Sequence, residues 1–400
     1  MQTRLLGQLS VEEFLRDYWQ KKPLLIRQAL PGFQPPLDIN ELAGLACEET
    51  VESRIVMEQG PEGPWQLFNG PFEESFLQEL PSKDWTLLVQ AVDQLLPEVA
   101  ELLKDFDFLP RWRRDDIMIS YAPPGGSVGP HIDYYDVFLL QASGQRRWQL
   151  GQFCDESTPL RQDTSLKILT DFQADPEADW VLEPGDLLYL PPQLAHWGTS
   201  LSEDCTTWSV GFRALSAEEI LCGAADFVGE KLQEDQRYTD ADLEPLQHPA
   251  EIDAAAVSRL RQLLLEVIDQ PAAINEWFGR AMTQTKYPDQ LLPPEEPWQP
   301  EDLQALVAEV DSGDASPLLR IAEGSRLAFR AGDEGRWLFA DGEAWPYSEE
   351  LQGWVEDLCR CYQLDAALIT TALKHPEARD LLLQLINQGS IYAEQEEDSD

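Results

Sequence analysis

The sequence predicts an α+β chain: a sandwich or barrel of short antiparallel strands, then a run of helices, then a smaller mixed unit. Three observations predict it. From about Asp115 to Arg213, short runs rich in branched and aromatic residues (IMISYA, YDVFLLQ, RRWQLG, WVLEPGDLLYLPP, TTWSVGF) are cut by proline and glycine, which suits a β-sandwich or barrel better than βαβ units. Beyond Ser216 the strand pattern stops and apolar residues recur three and four apart. The stretch PDQLLPPEEPWQP then has too much proline for either regular element and reads as a linker to a further unit.

Taken in order, Ser10-Val11-Glu12-Glu13 has the S-x-x-E spacing of a capping box, and Phe14, Leu15, Tyr18 and Trp19 follow at helical spacing. A short amphipathic helix therefore opens the chain, and Leu24-Leu25-Ile26 reads as a strand leading into the globular part. The first domain spans 1–214. Over 215–288, AEEILCGAADFVGEKL, AEIDAAAVSRLRQLLLEVID and AAINEWFGRAM read as helices that either pack on the barrel or pair with a second copy. Residues 289–300 form the linker. The unit over 301–393 has helices near Pro300 to Asp311 and Glu349 to Leu364, a strand pair in RLAFRAG and GRWLFADG, and late helices through Ile386, an arrangement like a winged helix. The closing EQEEDSD, 394–400, is almost wholly acidic and is expected to be disordered.

A chain of 400 residues with 43% hydrophobic content can bury a substantial core in two or three domains. No run of about 18 apolar residues spans a bilayer, and the opening MQTRLLGQLSVEEF lacks the apolar stretch of a signal peptide, so a soluble, cytoplasmic protein is expected. The six cysteines are scattered without a CxxC pair, which reads as reduced thiols. Acidic residues outnumber basic ones 73 to 29, for a formal charge of -44. Such a surface repels phosphate backbones and anionic membranes, so no direct nucleic-acid binding is expected; it serves solubility alone or draws in a basic partner.

The chain has only four histidines: His131, His196, His248 and His375. His131 and Asp133 stand two apart, which on an extended chain puts both side chains on one face. A Gly/Pro turn, PPGGSVGP, precedes them and a strand pattern follows; His196 comes after the turn Glu183-Pro184-Gly185-Asp186 and a strand. Two histidines and a carboxylate form the facial triad of non-haem iron(II) oxygenases, which leaves other positions on the ion open. A hydrolytic zinc site would need a separate general base, and nothing nominates one. His248 and His375 each precede a proline at a helix boundary and read as structural.

After the HxD, a hairpin turns through Ala142-Ser143-Gly144 and returns as Gln145-Arg146-Arg147-Trp148-Gln149-Leu150. Arg146 shares the parity of Trp148 and Leu150, so it is the inward arginine. A buried guanidinium needs an anion, and a dicarboxylate that chelates iron at one end and pairs with arginine at the other supplies one. Ser120 and Ser209, with Thr207 as a weaker candidate, stand where hydroxyls would complete that carboxylate site; an internal ion pair is the alternative for Arg146.

The stretches DYWQKKPLLI, DDIMISYAPPGGSVGPHIDYYDVFLLQASGQRRWQLG, LEPGDLLYLPPQLAHWGTS and WSVGFRA together resemble the bacterial ribosomal oxygenases of the JmjC group, and the likeness continues through HPAEI into the C-terminal unit. The resemblance implies a double-stranded β-helix (cupin/JmjC) barrel, a helical dimerisation region with a homodimer, and a C-terminal winged-helix-like domain. It implies iron(II) on His131, Asp133 and His196, 2-oxoglutarate against Arg146, dioxygen as the other co-substrate, and hydroxylation of an arginine side chain in a large-subunit ribosomal protein. Ala122 departs from the pattern, since a hydroxyl is expected there in some relatives. Recognition of arginine calls for carboxylates and aromatic faces near the metal motif, for which Asp115, Asp116, Tyr121, Tyr135 and Asp136 are the candidates. The same metal site would also serve a histidyl hydroxylase or a lysyl demethylase. A non-catalytic cupin/winged-helix adaptor is the reading of another class, which the net charge opposes.

Overall fold

The protein is described by a computed structural model over residues 3–60, 63–245, 248–308 and 318–393. The chain divides into two compact units, Met1–Ala214 and Leu215–Asp400.

The first unit opens as expected. Ser10 Oγ accepts the Glu13 N–H at 3.1 Å and the Glu13 carboxylate accepts the Ser10 N–H at 2.9 Å, starting helix α1, Val11–Asp17. Phe14 on α1 is fully buried, whereas Leu15 points out and is 38% exposed. Strand β1, Leu24–Ile26, follows. Three short helices, α2 (Ile39–Leu45), α3 (Glu74–Gln78) and α4 (Pro97–Ala100), are interleaved with strands β2 (Ser53–Gly60), β3 (Gly63–Asn69) and β4 (Trp85–Val89). Then come β5 (Arg114–Ala122), β6 (Asp136–Ser143), β7 (Arg146–Phe153), β8 (Asp179–Leu182), β9 (Leu187–Leu190), β10 (Leu194–Ser200) and β11 (Cys205–Phe212).

These strands form a double-stranded β-helix. The larger sheet has the order β1-β9-β6-β11-β5-β4-β2-β3 and the smaller one β10-β7-β8, every pairing being antiparallel. The strand pattern of the sequence marks this region from Asp115, but the larger sheet also recruits β2, β3 and β4 upstream of that point. Alternation sorts its two faces. Val137, Leu139, Leu188 and Leu190 point inward and meet Trp148, Leu150, Leu182 and Leu194 of the smaller sheet. Phe138, Leu140, Tyr189, Trp208, Val210 and Phe212 point outward and are covered by Leu5, Leu6, Phe14, Leu42, Val99 and Phe106 from the helical N-terminal part. The larger sheet is thus buried on both faces.

The second unit holds helices α5 (Ala217–Gly229), α6 (Ala254–Ile268) and α7 (Pro271–Thr283), then α8 (Pro300–Ala308), α9 (Gln352–Arg360), α10 (Ala366–Lys374) and α11 (Pro376–Asn387). Its strands are β12 (Leu319–Ile321), β13 (Leu327–Arg330), β14 (Trp337–Ala340), β15 (Glu343–Pro346), β16 (Gln363–Leu364) and β17 (Ile391–Tyr392). Two three-stranded sheets, β13-β14-β15 and β16-β12-β17, pack with α8 to α11 around Leu303, Leu338, Trp354, Leu358, Ile369 and Leu382 in a winged-helix arrangement. The helical stretch shares this one unit. A Cβ on Gly279 of α7 would sit 2.2 Å from the Phe339 ring of β14, and Arg280 donates to the Gly342 carbonyl at 3.1 Å and to Glu343 at 3.0 Å. The proline-rich run is docked: Asn387 accepts the Trp298 N–H at 2.7 Å and donates to its carbonyl at 3.1 Å. The acidic tail, 394–400, lies outside the described residues. Among the described residues no helix is long and apolar enough to cross a membrane.

Candidate metal centre

Inward-facing positions along β10 alternate as Leu194, His196, Gly198 and Ser200. Gly198 has a steric reason, because a Cβ there would lie 2.7 Å from the Trp148 ring carbons. The loop before β6 runs back along β10, and His131 and His196 exchange both backbone hydrogen bonds at 3.0 Å. Asp133 is held by its carbonyl, which accepts the Gln193 N–H at 2.7 Å.

One donor atom from each of His131, Asp133 and His196 lies within 4.8 Å of the others. The Asp133 carboxylate is 3.6 Å from His196 Nε2, and the two imidazole centroids are 4.2 Å apart. His131 Nδ1 is 2.9 Å from the Gly129 carbonyl and His196 Nδ1 is 2.9 Å from the Leu194 carbonyl. A carbonyl only accepts, so each Nδ1 carries a proton toward its carbonyl and Nε2 is the ring atom left to face the common point. Burial, and next the neighbouring His131, push His196 down to about 4, which keeps it neutral. The donor set suits a ferrous ion, and a 2-His-1-carboxylate set leaves coordination positions open for other ligands. His248 and His375 lie elsewhere: His248 Nδ1 accepts the Ala250 N–H at 3.3 Å, and His375 leads into α11.

The two arginines of β7 part company. Arg147 is outward and pairs with Asp179 at 2.7 Å. Arg146 is inward, 3% exposed, and neither Nε nor Nη2 has a partner. Buried polar atoms left this way call for a ligand. Trp148 stands between this guanidinium and the metal donors, its ring 5.9 Å from Arg146 Cζ and 5.8 Å from the His196 ring, and its own buried N–H is unpaired. Register places Ser120 opposite Thr207 and Thr207 opposite Gln141, while Ser209 pairs with Leu139, so all of these face the interior. Ser120 Oγ donates to the Thr207 carbonyl at 3.3 Å, and Thr207 Oγ1 donates to Gln141 Oε1 at 3.2 Å. An inward anchor with two unpaired nitrogens, in a barrel whose facing sheet carries inward hydroxyls, fits a dicarboxylate whose far end reaches the metal donors. Gln141 and Trp148 were missed as site residues, although Gln141 shares the parity of Leu139 and Val137 and is polar where its neighbours are apolar.

The five residues proposed to select a substrate separate. Asp116 is inward, 4% exposed, and accepts from Gln90 at 2.8 Å. Asp115 Cβ and the Tyr135 ring each lie 3.8 Å from where a Gly211 Cβ would stand, so they share one spot at the barrel mouth. Burial raises the Tyr135 hydroxyl pKa well above the ordinary phenol range, with Asp133, Asp116 and Asp115 adding to it and Arg54 opposing. A cleft of about 280 Å³ opens beside Tyr135, lined by Asp133, Tyr134, Tyr135, Asp155, Glu156 and Lys167 among others. Tyr121 is a correction: its parity is that of Ile119, its ring packs edge-on against Trp85 at 5.5 Å, and its hydroxyl donates to the Glu203 carbonyl at 3.1 Å on the outer face. Asp136 is another. It is wholly buried under the outer face, where Tyr189 donates to it at 2.7 Å, Gln20 at 2.9 Å and Arg113 at 3.2 Å.

Residues 101–220 match the JmjC domain family and residues 266–392 the ROXA-like winged helix. The chain is 37% identical over 394 residues to the ribosomal protein uL16 3-hydroxylase of Escherichia coli, covering 96% of this chain and 98% of that one. It is similar in structure to E. coli YcfD, with a TM-score of 0.86 at 35% identity over 98% of this chain and 100% of that one. The structure of YcfD, a ribosomal oxygenase, in complex with cobalt and 2-oxoglutarate superimposes with a TM-score of 0.84 at 35% identity, over 97% of this chain and 99% of that one.

Proposed function

Since the chain belongs to the ribosomal oxygenase family of JmjC-domain proteins, we propose that it is an iron(II)- and 2-oxoglutarate-dependent hydroxylase of an arginine side chain in a large-subunit ribosomal protein. One observation carries this reading: three metal donors converge within 4.8 Å in the barrel, and the sheet that carries His196 also presents the buried Arg146, whose Nε and Nη2 have no partner. His131, Asp133 and His196 would hold the ferrous ion. When bound, iron with 2-oxoglutarate and dioxygen supplies the oxidation, turning 2-oxoglutarate to succinate and carbon dioxide and placing one oxygen atom in a C–H bond.

The protein supplies position and a dry, charged lining. Arg146 would take the far carboxylate of 2-oxoglutarate as a bidentate partner, with Ser120, Ser209 and Thr207 on the facing sheet. Asp116 and Asp115 offer negative charge to a guanidinium, and the Tyr135 ring offers a flat surface to stack it. The excess of 73 acidic over 29 basic residues supports a basic substrate. The same excess argues against bare nucleic acid as a partner.

A homodimer is supported by α6. None of its residues is buried, and Val257, Leu260, Leu264 and Leu265, on one apolar stripe, are each more than half exposed. Such a stripe is the kind of face that paired helices cover. The cytoplasm, where ribosomal proteins are assembled, is the compartment this activity requires.

Mass spectrometry of large-subunit ribosomal proteins incubated with the enzyme, iron(II) and 2-oxoglutarate tests the reading. One added oxygen on an arginine is the expected result. An oxygen on histidine, or loss of methyl groups from lysine, would move the assignment to a sister activity, and no change in any of them would overturn it.

A further inference from the structure

The loop from Gly125 to His131 lies along β10 like an extra strand. Its backbone rungs stand at the two ends: Gly125 N–H to the Ser200 carbonyl and Ser200 N–H to the Gly126 carbonyl, each at 2.9 Å, and the reciprocal His131–His196 pair at 3.0 Å. Between them the backbone ladder is broken, because Gly129 takes φ +79° and Pro130 has no N–H to give. A side chain fills the gap. Ser127, 1% exposed, accepts the indole N–H of Trp197 at 2.8 Å and the backbone N–H of Gly129 at 3.0 Å on the same Oγ.

Both donors adjoin metal ligands. Trp197 follows His196 directly. The Gly129 carbonyl accepts His131 Nδ1–H at 2.9 Å, so the orientation of that peptide sets the rotation of the His131 ring and the aim of its Nε2. Gly129 is confined from the other side: a Cβ there would meet the Trp65 ring at 3.0 Å and Ile168 at 3.1 Å.

We propose that Ser127 is a positioning residue for the metal centre, a side-chain rung that registers the loop carrying His131 against the strand carrying His196. It rests on the metal reading above. An outer partner that orients a ligand ring typically affects metal affinity by ~10–100-fold, and Ser127 acts on both rings at once, through Gly129 on one side and Trp197 on the other.

The test is titration of metal-free full-length protein with Co(II) under anaerobic conditions, following the visible ligand-field absorption, for wild type, Ser127→Ala, Ser127→Thr, Trp197→Phe and the Ser127→Ala/Trp197→Phe pair. Thermal unfolding of each metal-free variant is recorded in parallel. Expected are a ~10–100-fold weaker Co(II) affinity and an altered absorption envelope in Ser127→Ala, recovery in Ser127→Thr, which keeps the acceptor oxygen, and no further loss when Trp197→Phe is added to Ser127→Ala. Wild-type affinity in Ser127→Ala overturns the proposal. So does an equal loss in Ser127→Thr that tracks a lower unfolding temperature, or strict additivity of the pair. Wild type that takes up no Co(II) would sink the metal reading itself and this inference with it.

Discussion

His131 and His196 form an isolated antiparallel bridge, each donating its backbone N–H to the other's carbonyl at 3.0 Å. The main chain thereby sets the spacing of two imidazoles that come from distant parts of the sequence, before any ion is present. Replacing either side chain by alanine leaves both backbone bonds in place. His131→Ala or His196→Ala should therefore unfold near the wild-type temperature. Loss of a ligand itself should exceed the ~10–100-fold drop in metal affinity seen for outer partners. The check is the metal-to-ligand charge-transfer band on anaerobic addition of iron(II) and 2-oxoglutarate, present in wild type and absent in both variants.

Arg146 is buried with two unpaired nitrogens, which penalises the fold without its anion and rewards the anion. Arg146→Met should raise the unfolding temperature of the protein without 2-oxoglutarate while weakening 2-oxoglutarate binding by about 2–5 kcal/mol, at least thirtyfold. Calorimetric titration and thermal melts on the same samples read both effects. A variant that binds 2-oxoglutarate as wild type does would remove Arg146 from the co-substrate site.

Tyr135 lines the cleft beside Asp133, and Asp116 is an inward carboxylate close enough to Tyr135 to act on its hydroxyl; neither is one of the three metal donors. Asp116→Asn, which loses a charge-assisted hydrogen bond of about 1.5–3 kcal/mol, and Tyr135→Leu, which loses the stacking ring, should each raise KM for the protein substrate roughly tenfold or more. Slow substrate-free consumption of 2-oxoglutarate should stay unchanged, measured as succinate released. A fall in both activities together would place these side chains in metal or co-substrate binding instead.

Asp136 gathers Tyr189, Gln20 and Arg113 beneath the outer face of the larger sheet. Asp136→Ala should cost stability on the order of 1–3 kcal/mol, because it leaves Tyr189, Gln20 and the partly buried Arg113 without their common acceptor, with little effect on substrate KM in whatever protein remains folded. Burial, opposed by these partners, leaves the Asp136 carboxyl above its ordinary range. The folded state then binds that proton more tightly than the unfolded state. Its contribution to stability is full below the unfolded pKa and is lost as pH rises through the folded value. Asp136→Asn should flatten that part of the stability profile, read from denaturant unfolding across mildly acidic pH.

Two charges test the surface readings. Glutamate at Leu260 and Leu264 of α6 should turn a dimer into a monomer by light scattering, with each monomer still folded. Rising salt should lower kcat/KM for a basic protein substrate, since the screening length falls from about 10 Å at 0.1 M to about 3 Å at 1 M. Indifference to salt would leave the acidic surface to solubility alone.

What the sequence determined by itself was the order of the parts and the set of metal donors. Four histidines leave few combinations, the HxD puts two donors on one face, and turn signals place His196 on a returning strand. Parity also separated Arg146 from Arg147, because at this end of the smaller sheet one side meets the core and the other carries Arg147 with Asp179 in water. On the larger sheet the same reasoning was blind. Both of its faces are buried, one against the smaller sheet and one beneath the N-terminal helices. Its strands read as near-continuous apolar runs in which alternation shows that two residues share a face without showing which face is the interior. That choice fell to the tertiary structure, which turned Asp116, Ser120, Thr207 and Gln141 toward the barrel interior and sent Tyr121 and Asp136 to the other side.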